Sequence, residues 1–76
     1  MFSREILGQK LKDLRLSNNL KLEHVGAKFN VTKQTVSHWE KGERTPSLEM
    51  ATALAEYYDV SLDYLVGLSS NPKRDK

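Results

Sequence analysis

Lys33, Gln34, Ser37 and His38 stand at i, i+1, i+4 and i+5, a spacing that gathers four polar side chains on one side of a helix. They supply hydrogen-bond donors and acceptors and one fixed positive charge, with no carboxylate among them. That chemistry suits reading the polar edges of bases. Gln34 can pair with both N6–H and N7 of adenine, and Lys33 can donate to O6 and N7 of guanine. A good bidentate pair of this kind is worth about 1–3 kcal/mol of discrimination. Thr32 and Thr35 beside them can bond phosphate oxygens or touch a thymine methyl. Lys41 and Arg44 follow in the next loop, where further phosphate contacts would be placed. Val36 and Trp39 remain as the only large apolar residues of this segment, a stripe too narrow to gain much from burial alone.

The rest of the chain reads as the elements that would hold such a helix. Leu7, Leu11 and Leu14 follow helical spacing, with Ser3 as N-cap and Asn18-Asn19 as the stop, giving a first helix over about 4–17. A second helix over about 22–29 carries Val25 and Phe29 one turn apart, and Gly26 in its middle costs ~1 kcal/mol relative to alanine. A glycine there makes sense where another backbone comes very close. Asn30 at the end suits a residue of positive φ, and Thr32 caps a third helix over about 33–41 that Gly42 closes. The connection of Asn30, Val31 and Thr32 has the length of a helix-turn-helix joint, which crosses two helix axes steeply.

Thr45-Pro46-Ser47 opens a fourth helix, where either hydroxyl could be the cap and proline suits a first turn, with Leu48, Ala51, Leu54, Ala55 and Tyr58 as its apolar side. Ser61 caps a short fifth helix that Gly67 closes. An apolar residue before the cap pairs with the fourth helical residue at Phe2/Leu7, Leu20/Val25, Val31/Val36 and Val60/Leu65, the hydrophobic-staple spacing. Residues 1–68 thus read as one domain, and 69–76 as a polar tail or the start of a linker.

Charge is divided along the 76 residues. Positions 1–46 hold nine bases and five acids, a balance of +4, whereas 47–68 hold four acids and no base, a balance of −4. A basic front and an acidic back turn the basic side toward a polyanion. Arg4, Glu5, Lys10, Lys12, Asp13 and Arg15 make the first twenty residues unlike a signal peptide. The longest apolar run, Tyr64 to Leu68, is far short of the ~20 residues of a membrane span. With no cysteine, a cytoplasmic location and no disulfide framework are expected. His24 and His38 are fourteen apart, no glycine-rich phosphate loop or paired-carboxylate motif is present, and so no catalytic residue, cofactor or metal site is expected.

LKDLR at 11–15, the Val25-Gly26 pair, NVTKQTVSHWEKG at 30–42, RTPSLEM at 44–50 and YYDVSLDYLVG at 57–67 occur in that order and spacing. In these marks, from Leu11 to Leu65, the chain resembles the Cro/C1-type helix-turn-helix domain of phage repressors and Xre-like bacterial regulators. The resemblance implies an all-α, compact five-helix, lambda-repressor-like DNA-binding domain whose second and third helices form the helix-turn-helix. It implies a sequence-specific transcriptional regulator, a repressor, that inserts helix 33–41 into the major groove of a pseudo-palindromic double-stranded operator as a homodimer. Carried across by position, base contacts fall on Lys33, Gln34, Ser37 and His38, and phosphate contacts on Thr35, Lys41, Arg44 and Thr45. Arg15 and Glu40 sit where members of the family place an ion pair between the first and third helices. One departure matters. Where a Ser or Thr cap and a phosphate-binding Gln are usual, this chain has Lys21 and Leu22, so Lys21 is expected to replace that contact by charge. The competing expectation is an antitoxin or another protein-interaction module, with Tyr57, Tyr58, Leu62, Tyr64 and Leu68 of the acidic 47–68 region as the partner surface.

Overall fold

The computed structural model describes residues 3–73, which form five α-helices and no strand: α1 Arg4–Ser17, α2 Leu22–Lys28, α3 Lys33–Glu40, α4 Leu48–Tyr58 and α5 Leu62–Leu65. The second and third are each one residue shorter than expected, because Phe29 and Lys41 have become their C-caps.

Four helices start behind a hydroxyl that accepts from a free first-turn amide. Ser3 Oγ takes the Ile6 N–H at 3.2 Å, Thr32 Oγ1 that of Thr35 at 3.1 Å, Ser47 Oγ that of Met50 at 3.1 Å and Ser61 Oγ that of Tyr64 at 3.0 Å. Lys21, before α2, makes no such bond. Leu20/Val25, Val31/Val36 and Val60/Leu65 all enter the one core, while Phe2 of the first expected staple lies outside the described residues. The proline expectation needs correction. Pro46 is not in the first turn of α4 but precedes the Ser47 cap, buried, with Ala51 as the buried fourth helical residue. It occupies the staple position itself.

All five helices also end alike. Asn19, Asn30, Gly42, Asp59 and Gly67 have φ of 59°, 58°, 75°, 58° and 85°. The next residue then donates its N–H five residues back: Leu20 to Arg15 at 3.1 Å, Val31 to Gly26 at 2.8 Å, Glu43 to His38 at 3.0 Å, Val60 to Ala55 at 2.9 Å and Leu68 to Asp63 at 2.9 Å. This is the Schellman closure, which occupies carbonyls that a helix end leaves free.

Leu7, Leu11, Val25, Val36, Trp39, Leu54, Ala55, Val60 and Leu65 make the core, drawn from every helix. Leu48 is a second correction: it is 74 % exposed, not part of the apolar side of α4. It begins the first turn on the flank of the Ala51–Leu54–Ala55 stripe, and Met50 packs against the core instead. The aromatics of the acidic region are largely used inside the fold. Tyr57 stands edge-on to Phe29 and Tyr58 at centroid distances of 5.3 and 5.1 Å, and Tyr64 packs against the core under the Lys10 ammonium at 4.1 Å. Leu68, at 65 %, stays exposed. Beyond it the chain turns back, and the Ser61 N–H donates to the Pro72 carbonyl at 2.9 Å.

Candidate nucleic-acid interface

α3 is held from behind by two close backbone crossings. A β-carbon on Gly8 of α1 would stand 2.6 Å from the carbonyl oxygens of both Trp39 and Glu40. One on Gly26 of α2 would stand 2.7 Å from the Val31 carbonyl oxygen and 3.3 Å from the Lys33 nitrogen. Only glycine allows either approach. Val36 and Trp39, 3 % and 6 % exposed, fill the space between.

An ion pair completes the attachment. Arg15 donates from Nε to Glu40 Oε2 at 2.7 Å and from Nη2 to Oε1 at 3.1 Å, while its Nη1 donates to the Leu20 carbonyl at 2.9 Å. Both side chains are largely buried. Hydrogen bonding to Glu40 raises the Arg15 pKa above its ordinary value against the opposing effect of burial. Each nitrogen of the guanidinium thereby donates once into the fold, and the Glu40 carboxylate is neutralised there. Tyr58 reports the same environment: burial first, then the negative Glu40, push its hydroxyl up to about 12.

The opposite side of α3 is open. Lys33 and Gln34 are exposed, and Ser37 and His38 are half-buried, all four on one helical face opposite Val36 and Trp39. Thr32 and Thr35 bond to each other through their hydroxyls at 3.0 Å at the N-terminus of the helix. Lys41 and Arg44 are exposed in the loop that folds back over the other end, where the His38 carbonyl accepts from the Arg44 N–H at 3.3 Å. Lys21 and Thr45 are exposed as well, but no hydrogen bond or ion pair joins either to this group among the described residues. The first turn carries no acid.

Two participants escaped the sequence reading. Gly8 lies on the apolar side of α1 and looks there like an ordinary interruption. Glu43 meets His38, Oε1 to Nδ1, at 2.6 Å, and hydrogen bonding to His38 holds its carboxyl below the usual carboxylate range. Gly42 was the available signal. A left-handed residue at that position brings the following side chain beside the one five back.

The sequence matches the family profile described as helix-turn-helix over residues 11–65. It is 34 % identical over 64 residues to YobD of Bacillus subtilis, an uncharacterized HTH-type transcriptional regulator, covering 84 % of this chain and 57 % of YobD. It is 36 % identical over 61 residues to RstR of Vibrio cholerae, a cryptic phage CTXphi transcriptional repressor, covering 80 % and 55 %. The chain thus spans little more than half the length of these two relatives. Among solved structures, the BldD DNA-binding domain of S. venezulae superposes with a TM-score of 0.71 at 28 % identity, over 83 % of this chain and 94 % of that one.

Proposed function

The chain belongs to the helix-turn-helix family, and on that premise we propose that it is a sequence-specific, double-stranded-DNA-binding transcriptional regulator that represses by occupying its operator. One observation carries this reading: α3 is anchored along Val36 and Trp39, with glycine crossings and a neutralised carboxylate behind it, while Lys33, Gln34, Ser37 and His38 face outward. In this reading α3 enters the major groove. Gln34 and Lys33 contact base edges from its first turn, and Ser37 and His38 do so one turn on. Lys21, Thr32, Thr35, Lys41, Arg44 and Thr45 contact phosphate and fix the register. Such a regulator works in the cytoplasm, and no helix among the described residues is long and apolar enough to cross a membrane.

A salt titration of operator affinity tests the reading. Counterion release gives a log–log slope of about −0.9 per phosphate neutralised, and Lys41→Ala or Arg44→Ala shallows the slope by about 1 each while weakening all sequences alike. Lys21→Ala does the same if Lys21 has taken over the missing glutamine contact. Affinity insensitive to salt would refute groove binding and favour a protein partner.

A further inference from the structure

The α3 terminus differs from the other four at one position. The residue after the left-handed one is apolar at Leu20, Val31, Val60 and Leu68, but it is Glu43 here. In this closure that side chain lies beside the one five back, ordinarily in a hydrophobic contact. At α3 the two are Glu43 and His38, and the contact is the 2.6 Å bond from Oε1 to Nδ1. The backbone enforces the meeting. The His38 carbonyl accepts from the N–H groups of both Glu43 and Arg44 at 3.0 and 3.3 Å, and Gly42 at φ 75° permits the turn. An ionised carboxylate only accepts, so the shared hydrogen sits on Nδ1, and whenever the ring is neutral its lone pair is then on Nε2. Nε2 has no hydrogen-bond partner among the described residues, and the His38 side chain is 43 % exposed. Lys41 and Arg44 on either side of Glu43 offset its charge near phosphate, and Glu40 is already held by Arg15.

We propose that Glu43 is a positioning residue for base selection: it locks His38 in the Nδ1–H tautomer, so that Nε2 meets the groove as an acceptor for the amino group of adenine or cytosine. The alternative tautomer would instead donate to guanine or thymine oxygens. This rests on the reading that α3 enters the major groove, and it adds to that reading the chemistry of one contact and a residue that touches no base itself.

Two measurements on the full chain test it. Nitrogen-15 NMR of the DNA-free protein, at a pH where the same spectra show a neutral ring, should give the Nδ1–H form, moving toward a mixture in Glu43→Ala. Binding sites selected from random duplexes by the wild type and by His38→Ala then identify the base pair that His38 reads. Replacing the adenine or cytosine there by an analogue lacking the exocyclic amino group should weaken wild-type binding about three- to tenfold, the range of one hydrogen bond. Inverting that pair should cost the wild type a similar factor, cost Glu43→Ala less, and cost His38→Ala nothing. An Nε2–H ring in a protein that does select DNA overturns the proposal alone, as does a uniform affinity change in Glu43→Ala with its preference at that pair intact. A wild type that holds the Nδ1–H form but selects no DNA overturns the groove-binding reading and this proposal with it.

Discussion

At the scale of single residues, the Arg15–Glu40 pair makes the sharpest stability prediction. Both groups are largely buried, and Arg15 also holds the Leu20 carbonyl, so truncating one partner strands a charge in the interior. Arg15→Ala or Glu40→Ala should each cost about 3–5 kcal/mol, whereas an apolar double replacement such as Arg15→Met with Glu40→Leu should cost much less. Urea denaturation of the three variants decides it, and equal losses in all three would mean that the pair acts through packing alone. Tyr58 gives a pH prediction. Its folded-state value of about 12 lies above the ordinary tyrosine value near 10, so the neutral phenol is the form that the fold favours. Its contribution is complete below pH ~10 and is lost as pH rises from there toward about 12. Melting temperatures across that range should fall more steeply for the wild type than for Tyr58→Phe, and parallel curves would contradict the assignment. The positions of Arg15 and Glu40 were legible by resemblance. The use of Tyr58 beside them was not, because no spacing rule links residues on α1, α3 and α4.

At the scale of elements, Gly8→Ala separates close packing from helix propensity. Propensity alone favours alanine within a helix by about 1 kcal/mol. Here the new methyl would stand 2.6 Å from two backbone carbonyl oxygens, which cannot rotate away. Overpacking of this kind costs about 1–3 kcal/mol, so thermal unfolding should show a net loss of stability. A rise in melting temperature would mean that α1 and α3 separate freely. Most of the element structure was legible because the signals are local: a hydroxyl before the first turn, an apolar staple, and an asparagine or glycine after the last. The misses have tertiary causes. Leu48 fits the periodicity of α4, but nothing packs over that flank of the first turn. Pro46 suited a first turn by its φ, but the staple took it. Asp59 adopts the left-handed conformation that its type only tolerates. Gly8 was unreadable from α1 alone, since its role is set by the backbone of Trp39 and Glu40, more than thirty residues on.

At the scale of the whole molecule, we propose that two copies act together on DNA. The Cα atoms of one copy extend over 28 × 22 × 22 Å, less than the ~34 Å that separates half-sites one helical turn apart. In the groove-binding reading, one domain alone would contact too few base pairs to compete with bulk DNA at the ~10⁻⁸ M or tighter that specific sites require. Inserting five base pairs between half-sites, about half a helical turn, should therefore abolish cooperative binding. Unchanged binding would mean that each copy acts independently. The division of charge along the chain is plain in the sequence, but which side chains would form a reading face depends on how α3 is pinned. The direct test of that pinning is site selection from random duplex DNA by Gln34→Ala beside the wild type. The mutant should melt as the wild type does and lose its preference at one base pair of each half-site, worth about 1–3 kcal/mol. An identical selected sequence bound with identical affinity would show that the outward face of α3 does not read DNA.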